Sequence, residues 1–170
     1  MTVPLLTDEL RARIGETRSY TAPEPLSAAS IRYYAVAVGD TNPVYTDPDA
    51  AKAAGWRDVV APPTLLCDSN QYLADAVRDD DGFAGHSWGI APPNCRMVRG
   101  GNRYVFHRPA HPGDTVTVTW RLLDMTERVN AAGQAMLIVT SEAAVTGADG
   151  DPILTNTETT IHIATGGGAA

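Results

Sequence analysis

The chain has 170 residues, 44% hydrophobic and 19% charged, which is long enough for one buried core and too apolar for wholesale disorder. Thirteen Lys and Arg against twenty Asp and Glu leave a net charge of -7, which argues against a nucleic-acid backbone as the partner. No apolar run approaches the roughly 20 residues that span a bilayer, and residues 1–13 carry Asp8, Glu9, Arg11 and Arg13 where a secretory leader would be apolar, so a cytoplasmic protein without membrane contact is expected. Cys67 and Cys95 form no CxxC pair and no metal spacing; reduced thiols are expected.

In chain order, residues 1–20 read as an arm with one short helix, capped by Thr7 or Asp8. Ser27 or Ser30 caps a helix whose Ile31, Tyr34, Ala35 and Val38 share one face, with Gly39 as its stop. Asn42-Pro43 is a turn, and Asp47 caps a short helix that opens on Pro48 and ends at Gly55. After Ala61-Pro62-Pro63-Thr64 a longer helix is expected from Leu65 to about Val77, stopped by the acidic run Asp79 to Asp81 and Gly82. The stretch Asp79 to Pro93 reads as a lid or an ordinary surface loop.

From about residue 97 the pattern is strand. Asn102 to His107, Thr115 to Leu123, Gln134 to Thr146 and Ile153 to Ile163 alternate, with turns at Pro112-Gly113-Asp114 and Ala148-Asp149-Gly150. Gly100-Gly101 marks a close approach of two backbones where the sheet begins. The last three strands should pair as an antiparallel meander, with the helix from Leu65 covering one face. The expected result is an α+β domain over residues 21–164, preceded by the arm 1–20 and followed by a flexible tail 165–170.

Two stretches carry a family resemblance. They are GDTNPVYTDPDAAKAAGWRDVVAPPTLL, Gly39 to Leu66, and GGNRYVFHRPAHPGDTVTVTWRLLDMTER, Gly100 to Arg128. Together they resemble the MaoC-like branch of the hot-dog fold, which contains R-specific enoyl-CoA hydratases and 3-hydroxyacyl dehydratases. The resemblance runs from about Ser27 to Ile163. It implies a single hot-dog, a curved antiparallel sheet wrapped around a long central α-helix. Hydration of a 2-enoyl thioester needs a water activated for C3, a proton for C2 and donors for the thioester oxygen. In active members an Asp and a His five residues later hold the water. The Gly N–H of an A-x-G at the central helix start polarises the carbonyl, aided by the helix dipole.

Carried over by position, Asp40 stands at the catalytic Asp, Asn42 and Pro43 match the turn that presents it, and Asp47 matches the second acid. The His falls on Tyr45 and the glycine on Pro63. Proline has no N–H to donate, and a phenol with a pKa near 10 is a poor base. The pattern NPVY…APPT resembles the FAS1-like or N-terminal dehydratase domain, the non-catalytic half of two-part MaoC-like enzymes.

The resemblance therefore implies the acyl-pocket half of an enoyl-thioester hydratase or 3-hydroxyacyl dehydratase, a hydro-lyase component. No second copy of the motif follows Ile163, so the catalytic hot-dog is expected as a separate partner. The alternatives are a stand-alone homodimer with Asp40 and Tyr45 as catalytic residues, a non-catalytic binder of acyl-CoA or a polyketide-type intermediate, and a thioesterase. Candidate substrate-binding residues are Asn42, Pro63 and Thr64, with Arg96, Arg99, Arg103 and Arg108 for the phosphate of an acyl-CoA or acyl-carrier thioester. A solvated strand edge would explain the same arginines. No cofactor is implied. His86, His107, His111 and His162 are too scattered for a zinc site.

Overall fold

The computed structural model describes residues 4–72, 77–78 and 84–165, with the backbone alone described at 68–72, 77–78 and 84–85. Helix α1, Asp8–Ala12, is capped by Thr7, whose hydroxyl accepts the Leu10 N–H. Helix α2, Ala28–Val38, carries a reciprocal cap between Ser27 and Ser30 and ends on Gly39 at φ 72°, a left-handed position that favours glycine. Ile31 and Ala35 are buried as its periodicity predicts, but Val38, in the last turn, is 53% exposed. A 3-10 turn, Pro43–Tyr45, and helix α3, Pro48–Ala53, follow with Asn42 and Asp47 as their caps.

The helical segment after Pro62 lies where expected but is of another type. It is a 3-10 helix, Pro63–Tyr72. Leu65 N–H donates to the Pro62 carbonyl, the i to i-3 bond that closes a 3-10 rather than an α turn. By Val77 the chain is already strand: β2, Val77–Arg78, pairs with β3, Ala84–Gly85. The acidic stop at residues 79–82 lies outside the described residues.

The main sheet has five antiparallel strands among the described residues: β1, Thr17–Thr21; β4, Cys95–Phe106; β5, Thr117–Val129; β6, Ala135–Thr146; and β7, Pro152–Ala164. Their order is β1-β5-β6-β7-β4, so β5, β6 and β7 form the expected meander. Strand β1 is missing from the sequence reading. It lies in the stretch read as an arm, and its pairing with β5 is tied by hydroxyl bonds Ser19–Thr119 and Thr21–Thr117 at 2.8 and 2.9 Å. Strand β4 begins at Cys95, earlier than Asn102, because a bulge between Arg99 and Gly101 lets it continue past Gly100. A Cβ on Gly100 would sit 3.0 Å from Thr159 Cγ2 and 3.1 Å from its carbonyl, the close approach that the glycines suggested.

One face of the sheet makes the core. It carries Val118, Trp120, Leu122 and Met125 of β5 and Leu137, Val139, Ala143 and Val145 of β6, all buried. A second bulge between Leu122 and Asp124 returns Met125 to the core face three residues after Leu122. Residues 86–90 strap one side of this face. Trp88 Nε1 donates to Ser141 Oγ at 2.8 Å, Arg13 donates to the Trp88 carbonyl at 2.7 Å, and the His86 ring stacks on Trp120 with centroids 4.7 Å apart.

Candidate functional site

A cavity of about 400 Å³ opens at the other side, between the segment from Val44 to Leu66 and the ends of β4 and β7. That size suits a small-molecule site. Its wall is mostly apolar, from Val44, Trp56, Val60, Ala61, Pro62, Leu66 and Phe106, with Tyr45, His107 and Arg108 as polar groups.

Local hydrogen bonds fix this wall. Asp40 Oδ1 accepts the Asn42 N–H at 3.1 Å and Asn42 Oδ1 accepts the Val44 N–H at 3.2 Å, so two Asx turns lead into Pro43–Tyr45. Val60 N–H donates to the Val44 carbonyl and Ala61 N–H to that of Ala110, which holds Val59 to Pro62 across the cavity floor. The buried His111 donates Nδ1–H to the Val59 carbonyl at 2.9 Å.

Electrostatics make Tyr45 a donor. Burial first, then the negative charge of Asp40 and hydrogen bonding to its carboxyl, push the phenol above its ordinary value. Tyr45 therefore keeps its proton at neutral pH. At the helix start, Pro62 and Pro63 supply no N–H, so the oxyanion donor of the family pattern has no counterpart at Pro63.

Arg108 is the guanidinium of the cavity. Its Nη1 donates to Asp114 Oδ2 at 2.9 Å and to the Pro109 carbonyl at 3.0 Å. Asp114 also accepts the His111 N–H at 3.0 Å and pairs with Arg57 at 3.2 Å. Burial pulls this carboxyl upward, but the bonds from Arg108 and His111 and the charges of Arg108 and Arg57 outweigh it and hold it below its ordinary value. A Cβ on Gly147 would fall 2.6 Å from Arg108 Nη2, so the glycine leaves the space in which the guanidinium lies.

The proposed residues divide. Tyr45 and Pro63 line the cavity; Asp40 and Asn42, both exposed, build the turn behind Tyr45; Thr64 is exposed just inside the helix start. Arg96, Arg99 and Arg103 stand along β4 and are not in the cavity wall, where only Arg108 of that group is found. Asp47 caps α3. Trp56, Phe106 and His107 were missed. His107 lies beside the Arg108-Pro109 pair and was within reach of the motif, whereas Trp56 meets Phe106 only through the tertiary fold. None of the wall residues belongs to the strap 86–90, so that part of the suspected lid covers the core instead. Among the described residues no group of three His, Cys, Asp or Glu is placed to hold a metal ion, and no helix is long and apolar enough to cross a membrane.

Known proteins resemble this chain in sequence or in fold. The family pattern described as FAS1-like, dehydratase domain region, matches residues 12–156. A UPF0336 protein of Thermobifida fusca is 36% identical over 135 residues, covering 78% of this chain and 82% of its own. The ChsH1-ChsH2 complex of Mycobacterium tuberculosis superposes with a TM-score of 0.69 at 22% identity, covering 85% of this chain and 82% of that one. The C-terminally truncated HadBC complex, a 3R-hydroxyacyl-ACP dehydratase of the same organism, superposes at 0.59 with 21% identity, covering 86% and 96%. The fold is the hot-dog of the MaoC-like hydratases and dehydratases.

Proposed function

The chain belongs to the FAS1-like dehydratase domain region family, and from that premise we propose that it is the acyl-pocket half of an enoyl-thioester hydratase or 3-hydroxyacyl dehydratase. The observation that carries this reading is the pairing of an intact apolar cavity with two failed catalytic positions. Tyr45 holds its proton and Pro63 has no N–H. The wall suits an acyl chain, and Arg108 at its edge suits a phosphate of coenzyme A or of a carrier's phosphopantetheine.

A second hot-dog subunit carrying an intact Asp/His pair supplies the chemistry. Strand β4 is the surface offered to it. Eleven of its twelve residues pair with β7, all but the bulged Gly100, its other side has no strand partner among the described residues, and it exposes Met97, Val105 and Phe106. The ChsH1-ChsH2 and HadBC complexes give this arrangement a precedent. The complex works in the cytoplasm without a cofactor.

The test is hydration of crotonyl-CoA and dodecenoyl-CoA by the purified chain, alone and mixed with a hot-dog protein that retains G-D-x-N-P-x-H. No turnover alone and turnover in the mixture, unaffected by Asp40→Ala, is the expected result. Turnover by the chain alone that Asp40→Ala abolishes overturns it and makes Asp40 and Tyr45 a working pair.

A further inference from the structure

The core face is apolar along β5 and β6 and turns polar where β7 meets β4. Alternation puts Leu154, Asn156, Glu158, Thr160 and His162 of β7 on this face, opposite the core row of β6. Asn156 is 6% exposed. Its Nδ2 donates to Asn102 Oδ1 at 3.0 Å. Its Oδ1 is buried and has no hydrogen-bond partner among the described residues. Folded proteins seldom leave a buried acceptor in that state unless another molecule supplies the donor. Glu158 stands directly across from Asn102, with Arg99 3.2 Å from its Oε2.

This polar group lies on the same sheet face as Phe106 of the cavity wall. Phe106 lines the cavity; Tyr104 stacks against it with centroids 6.1 Å apart; Asn102 comes next on the same face of β4. Tyr104 is the direct cross-strand partner of Asn156. Four residue steps along the strand carry Phe106 to Asn102, about 13 Å. An extended chain leaving the cavity along β4 meets two aromatic rings and then an acceptor without a donor.

We propose that Asn156, beside Glu158, forms a subsite for a hydroxyl group carried on the acyl chain far from the thioester, the hydroxyl donating to Asn156 Oδ1. The proposal rests on the acyl-pocket reading and names the substrate class: chains oxygenated near their distal end. An unsubstituted chain leaves the acceptor unpaired, and a hydroxylated one satisfies it.

Isothermal titration calorimetry of the full chain with dodecanoyl-CoA, 12-hydroxydodecanoyl-CoA and CoA tests it. The hydroxylated ligand is expected to bind about tenfold more tightly than dodecanoyl-CoA. Asn156→Leu is expected to erase that preference while leaving dodecanoyl-CoA binding intact. If thermal unfolding shows that the leucine variant does not fold, Asn156→Ser withdraws the acceptor in its place, with the same expected loss. Equal affinities in the unaltered chain, or a preference that survives either variant, overturn the subsite. Weakened binding of CoA itself by Asn156→Leu overturns it too, by assigning the donor to an amide of the pantetheine arm. Folded protein that binds neither acyl-CoA removes the acyl-pocket reading itself, and the subsite with it.

Discussion

Strands β4 and β6 are both twelve residues long and sit in one sheet, yet they are opposite in character. Strand β6 lies in the middle, and from Leu137 to Val145 every second residue is buried. Strand β4 lies at the edge and is exposed over most of its length, apolar residues included. An interior strand is stabilised by both neighbours and by the core beneath. An edge strand keeps a free row of backbone groups for something else. Stability is thus concentrated in the interior strand, and the edge strand is the one left open to the proposed partner.

The largest effect separating them is a truncation on each. Leu137→Ala on β6, from a residue with no exposure, is expected to cost about 2–5 kcal/mol in urea unfolding. Met97→Ala on β4, 56% exposed, should stay within about 0.5 kcal/mol while weakening association with the catalytic partner. Comparable losses at both sites would erase the contrast.

At the far end of β4, Asp114→Ala removes the partner of Arg108, Arg57 and the His111 N–H, and should cost about 1–3 kcal/mol together with acyl-CoA affinity. The folded pKa of Asp114 lies below the unfolded value of 3.8, so its contribution is intact above that pH and is lost as pH falls through the folded value.

The strap over β5 and β6 responds to pH in a different window. Burial first, then the charge of Arg18, push His86 down to about 4 from 6.5, with Glu16 pulling the other way. The folded state therefore binds fewer protons, and stability should rise between about pH 4 and 6.5. Allowing for the ring's partial exposure, the rise is about 1–2 kcal/mol, and His86→Phe should flatten it in unfolding curves taken at several pH values. Smaller again is Ser27→Ala, which removes the α2 cap for about 1 kcal/mol and should leave ligand binding unchanged.

The interior strand was legible in the sequence because its burial follows a period of two, and the caps at Ser27, Gly39 and Asp47 and the turn at Asn42 were legible because these residues act on neighbours a few residues away. Strand β1 was not, since TRSYT has no apolar rhythm and becomes a strand only through β5. The helix type after Pro62 was missed because the apolar spacing of Leu65 and Leu66 does not distinguish 3.6 from 3.0 residues per turn. At the site, Tyr45 and Pro63 were found by motif position. Phe106 and Trp56 were not, because their shared wall is built by residues about fifty positions apart.

The Pro62-Pro63 step also bears on rescue. Were Tyr45 replaced by histidine, a base would return with no amide facing the carbonyl; were Pro63 replaced by glycine, an amide would return with no base. On the acyl-pocket reading proposed above, either change alone leaves the pair incomplete, so a single substitution at Tyr45 or at Pro63 is expected to give no turnover and only the two together to restore it.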